Sequence, residues 1–182
     1  MTAPTTPNSL GAALIGQVLA RRDDPGSAGW CASVRRAITS ATEVAAYGYT
    51  EPHLLGLTGW QAKVGARRAA AICAGATGVK AGTGSLGRNL AELRRKATAD
   101  SVDAKVNILP MLDVENAAGL LAGLVTQCGH HGVGVNFYAL ADTLARWGEG
   151  LSPASQRARQ RIVADYYSAP TPEHTTQGSE NL

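Results

Sequence analysis

Large aromatic rings are scarce in this sequence: one Phe, three Trp and five Tyr among 182 residues. A chain so poor in rings, and carrying 32 Ala and 21 Gly instead, must build its core from small side chains whose elements approach closely. Ala has the best helix propensity and is depleted in strands, so helices fit this composition better than a sheet. Cysteine is also sparse. Cys31, Cys73 and Cys128 are odd in number, widely spaced and without a Cys-x-x-Cys pair, which argues against a disulfide framework or a zinc knuckle. Each lies in an apolar helical context and reads as a buried, reduced thiol. No apolar run is long enough to cross a bilayer. The nearest, Leu10 to Ala20, has eleven residues and no basic leader, so neither a membrane partner nor a signal peptide is expected, and the cytoplasm is the default.

At this length a folded chain buries about 70% of its unfolded surface, enough for a real core in one unit or two small subdomains. The formal charge is +3, but the last fourteen residues hold Glu173 and Glu180 and no cation; without them seventeen cations face twelve anions, a net +5. Arg outnumbers Lys thirteen to four, and the planar guanidinium is the better fork for phosphate oxygens.

The cations are concentrated. Between Lys63 and Lys96 lie eight Lys or Arg and a single acid, Glu92. Within that stretch Gly82-Thr83-Gly84-Ser85 leads into a helix whose Leu86, Leu90 and Leu93 form one stripe, with Arg88 and Arg95 pointing the other way. Such a surface suits a polyanion.

Along the chain, residues 1–9 read as a disordered, Thr- and Pro-rich lead. Helices are expected over about Leu10–Arg22, Ala28–Ala41, Thr58–Ala74 (opened by a capping box from Thr58 to Gln61), Ser101–Leu112, Asp113–Cys128, Asn136–Trp147 and Ser152–Tyr167. Gly129-His130-His131-Gly132 reads as a turn, and Lys96 to Asp100 as the joint between two halves. The expected class is all-α, as two small helical-bundle subdomains over residues 10–97 and 98–168, followed by a flexible tail over 169–182.

Gly82 to Gly87 matches G-x-G-x-x-G, but an Ala-rich helix precedes it where a dinucleotide site needs a strand, so no such cofactor is expected. Two readings remain for the loop: a flexible connector, or a helix start whose amides touch a nucleic-acid phosphate. Adjacent His130 and His131 point apart and lack a third ligand, so no metal is expected. Asp113 and Glu115 are accounted for by helix capping, and no catalytic pairing is legible. Asp142 and Arg146, and Arg161 and Asp165, are spaced as helix-surface ion pairs. Arg35, Arg36, Lys63, Arg67, Lys80, Arg88, Arg94 and Arg95 mostly lack acids at pairing distance and are the candidate phosphate contacts.

Several blocks resemble the CasB family, the small subunit of the type I-E CRISPR surveillance complex Cascade. Cys31-Ala32-Ser33-Val34-Arg35-Arg36-Ala37 is similar to that family's early Ala-x-x-Arg-Arg helix, and Thr83 to Ala91 to its Ser-Leu-Gly-Arg-x-Leu-Ala segment. Val133 to Trp147 resembles its late helix ending in Trp, and Ala164-Asp165-Tyr166-Tyr167 its Asp-Tyr end. Where the family shows Arg-Arg after the linker, this chain has Ala104-Lys105, which leaves Lys105 as the basic position carried over from the second half. The resemblance implies a non-catalytic subunit, present as two copies beside the backbone and large subunits, that stabilises guide RNA and target DNA as the R-loop opens. A helical adaptor working by protein contact alone is the alternative, and a helix-turn-helix regulator a weaker third, since no compact Gly turn leads into base-reading side chains.

Overall fold

Alanine and glycine set the distances between elements. The computed structural model describes residues 9–170, and the expectations for residues 1–8 and 171–182 lie outside them. Among the described residues the protein is all-α, with helices α1 (Ala12–Arg21), α2 (Ala28–Arg35), α3 (Tyr47–Thr50), α4 (Trp60–Gly75), α5 (Leu86–Lys96), α6 (Ala99–Ile108), α7 (Val114–His130), α8 (Phe137–Ala145) and α9 (Pro153–Ser168). Short 3-10 turns punctuate them, and a lone bridge pairs Ala81 with Val135. No helix among these residues is long and apolar enough to cross a membrane.

The pivot is α4. Every residue from Gly65 to Ala74 is buried, and the helix packs on α1, α2 and α7 and most broadly on α8. Gly65 makes that last contact possible, because a Cβ there would lie 1.9 Å from the carbonyl oxygen of Leu144. The same device recurs at α5 and α9, where a Cβ on Gly87 would sit 2.4 Å from the Ile162 carbonyl oxygen. One apolar core runs through both halves of the chain, joining Leu14 and Ile15 of α1 to Leu90 and Leu93 of α5, Leu121 of α7 and Leu140 of α8. Each fully buried Leu or Ile contributes about 1.5–3 kcal/mol. Ala97 and Thr98 form the extended link between α5 and α6, where the chain passes from its first half to its second.

Three local expectations are corrected. The second helix stops at Arg35 and continues only as a 3-10 turn, Arg36–Ile38. Thr42 explains this: its hydroxyl donates to the Arg36 carbonyl at 2.5 Å, an alternative to the helical ladder. At α4 the cap position is taken by Gly59, with no side-chain cap from Thr58. Finally, α7 runs through Gly129 to His130 and closes when the Val133 N–H reaches the Cys128 carbonyl at 2.8 Å. The three thiols are buried, and burial pushes Cys73 and Cys128 up to about 12.

Candidate nucleic-acid interface

The glycine-rich entry to α5 is pinned from both sides by two asparagines. Ser85 caps the helix, accepting the Arg88 N–H at 3.4 Å. Asn89, one turn in and buried, donates to the Thr83 carbonyl at 2.8 Å and accepts the Asn136 N–H at 2.9 Å. Asn136 in turn donates to the Gly84 carbonyl at 2.7 Å and caps α8. Residues 83 and 84 are thereby fixed against the start of α8, so the loop is a tied connector.

The Leu86, Leu90 and Leu93 stripe is buried as its spacing predicts, and Arg88 and Arg95 lie exposed on the other side of α5. Arg95 donates to the Pro170 carbonyl at 3.1 Å, and the Arg88 stem runs past Gly84. At the start of α5, Gly84 to Gly87, α8 and α9 enclose an open cleft of about 800 Å³ to which Arg146, Arg157 and Arg161 contribute. Two of these arginines are held by acids on their own helices: Arg146 pairs with Asp142 at 3.0 Å and Arg161 with Asp165 at 3.6 Å, as their spacing predicts. Arg157 has no carboxylate within ion-pair distance among the described residues.

The remaining candidates divide sharply. Arg35 and Arg36 are exposed where α2 runs into its 3-10 turn, Lys80 is exposed in the loop after α4, and Lys105 is half-buried on α6. Among the described residues none of these four meets a carboxylate.

Arg67 is a correction. It is fully buried, donates to Glu51 at 2.6 Å and lies 3.7 Å from Glu43, with its guanidinium stacked on Tyr47 and Trp60. It cannot present charge to a phosphate. Its neighbour Arg68 is equally buried on Glu43 at 2.5 Å and the Ala37 carbonyl at 2.6 Å. Lys63 is likewise drawn to Glu51, at 3.1 Å. Arg94 pairs with Asp103 at 2.8 Å and lies against the rings of Tyr166 and Tyr167, so its charge is neutralised locally.

Arg157 is absent from the sequence-derived set although its signal is in the sequence: no acid stands three or four residues from it in either direction. The structure brings Arg88 and Arg95 of α5 and Arg157 of α9 onto two helices in direct contact, while Arg35 and Arg36 belong to an element packed on α4.

A family model described as CRISPR-associated protein Cse2 matches residues 30–167. Two crystal structures of proteins from Thermus thermophilus share the fold. One is a CRISPR-associated protein of the Cse2 family, at 24% identity and a TM-score of 0.67. The other is a CasB, at 26% identity and a TM-score of 0.66. Each superposition covers 88% of this chain and 99% of the other. Curated protein sequences offer no match.

Proposed function

The chain belongs to the Cse2 family of CRISPR-associated proteins, and we propose that it is a non-catalytic, nucleic-acid-binding small subunit of the type I-E Cascade complex in antiviral defence. In this reading it works in the cytoplasm, beside the backbone and large subunits and a second copy of itself. It steadies guide RNA, target DNA and the opened R-loop through sequence-independent phosphate contacts.

The observation that supports the reading best is the set Arg88, Arg95 and Arg157: arginines without a carboxylate partner among the described residues, carried by two abutting helices beside an open cleft. Guanidinium groups without base-edge partners supply affinity and no sequence preference. Sequence is then left to guide pairing. Arg35, Arg36, Lys80 and Lys105 are further positions for the same chemistry.

The test is a salt titration of the full chain against a single-stranded oligonucleotide. Three contacts give a log K against log salt slope of roughly −2, and Arg88→Ala or Arg157→Ala removes about 0.7 each. A slope near zero, or one that neither substitution changes, overturns the assignment.

A further inference from the structure

On another part of the molecule the exposed side chains are apolar and the charge changes sign. The first turn of α4, the 3-10 turn ahead of α7 and the loop between α8 and α9 enclose an open cleft of about 550 Å³. Trp60 and Met111 stand on it, 63% and 75% exposed, and Leu151, two residues past the lining Glu149, is 81% exposed. A soluble surface rarely leaves large apolar groups together, and Trp is the residue type most often found to anchor a protein interface.

Trp60 is held for such a role. One ring face lies on the buried Arg67 guanidinium, 5.1 Å from the ring centre, and the ring remains mostly open to solvent. Met111 supplies an unbranched, adaptable partner across the cleft.

Charge decides what fits there. Glu149, exposed on one wall, accepts a hydrogen bond from the Gln61 amide at 2.7 Å, and Asp113, exposed on another, caps α7. The one cation of the lining, Arg159, is buried. Four of its five N–H groups are directed at the carbonyls of Pro110, Leu112, Trp147 and Gly148, at 2.8–3.1 Å. The open side of the cleft is therefore acidic, which disfavours a base stacking on Trp60 with its phosphate alongside and favours a cationic chain.

We propose that this cleft is a protein-docking site for a segment of a neighbouring Cascade protein that sets an apolar side chain between Trp60 and Met111 and a Lys or Arg against Glu149 and Asp113. The proposal rests on the Cascade-subunit reading for the identity of the neighbour but not on the phosphate contacts of α5 and α9.

The experiment uses the full chain and the purified backbone and large subunits assembled on guide RNA, with incorporation read by native mass spectrometry and titration. Met111→Asp and Glu149→Lys are the variants, because both side chains are exposed and neither holds Arg67; circular dichroism and the thermal midpoint confirm the fold. Each weakens incorporation about tenfold or more, Glu149→Lys more than Glu149→Gln, while the salt slope of the free chain on single-stranded nucleic acid stays at the parent value. Parent-level incorporation of both variants overturns the docking site. So does a loss of oligonucleotide affinity on Met111→Asp, which would make the cleft a base-stacking surface. An altered salt slope in Arg88→Ala with parent-level incorporation of both Met111→Asp and Glu149→Lys would remove this proposal and leave the phosphate surface standing.

Discussion

Asn89 and Asn136 join two helix starts: the side-chain oxygen of Asn89 accepts the backbone N–H of Asn136 at 2.9 Å, while the Asn136 amide reaches back to the Gly84 carbonyl. Asn89 is buried, so replacing it by Leu strands the Asn136 N–H and the Thr83 carbonyl together. At about 1–3 kcal/mol for each unsatisfied group, Asn89→Leu lowers unfolding stability by about 2–6 kcal/mol, read from the denaturant midpoint. A change below about 0.5 kcal/mol, the size of one weak hydrogen bond, would show that water replaces the amide there.

The α4–α8 contact gives a paired prediction. Gly65→Ala forces a methyl onto the Leu144 carbonyl and destabilises by about 3 kcal/mol or more, at or beyond the usual range for overpacking. Gly123→Ala, inside α7 with open space where its Cβ would go, stabilises by about 0.5–1 kcal/mol. Thermal midpoints moving the same way in both variants would refute the packing argument.

Arg67 and Arg68 share Glu43, which is itself buried. Glu43→Gln leaves two guanidinium groups without their common anion and costs about 3–5 kcal/mol. In the double variant Glu43→Gln with Arg68→Met the loss is smaller than the two single losses added, because they act in one network. Simple additivity in chemical denaturation would mean the cluster is not coupled.

Acid should weaken the fold through three carboxyls held below their ordinary range. The Tyr166 hydroxyl, with Arg94, does this for Asp103; the Asn116 amides do it for Asp113; the Ser40 N–H does it for Glu115. Each is depressed in the folded chain, so each contributes stability above its unfolded value, near 4, and loses it as pH falls through the lower folded value. The thermal midpoint is expected to hold from about pH 5 upward and to drop below about pH 4, less steeply in Asp103→Asn. A midpoint that rises on acidification contradicts this.

What the sequence revealed was local. The Leu86, Leu90 and Leu93 stripe, the Asp113 cap, and the Arg146–Asp142 and Arg161–Asp165 pairs all lie within one or two turns, where helix geometry makes spacing sufficient. The partners of Arg67 and Arg68 were not legible, because Glu43 and Glu51 stand 16 to 25 residues from them. No period links those positions; only the fold brings the 43–53 turns onto α4. Thr58 failed as a cap for a related reason, since the chain enters α4 through Gly59 at φ 89°, outside the geometry a capping threonine needs.

The meeting of Gly65 with the Leu144 carbonyl also bears on motion. Two helices touching backbone to backbone, one from each half of the chain, leave no slack for a hinge at that contact. Under the function proposed above, a nucleic acid opening along this protein would move over its arginines while the α4–α8 contact keeps its shape.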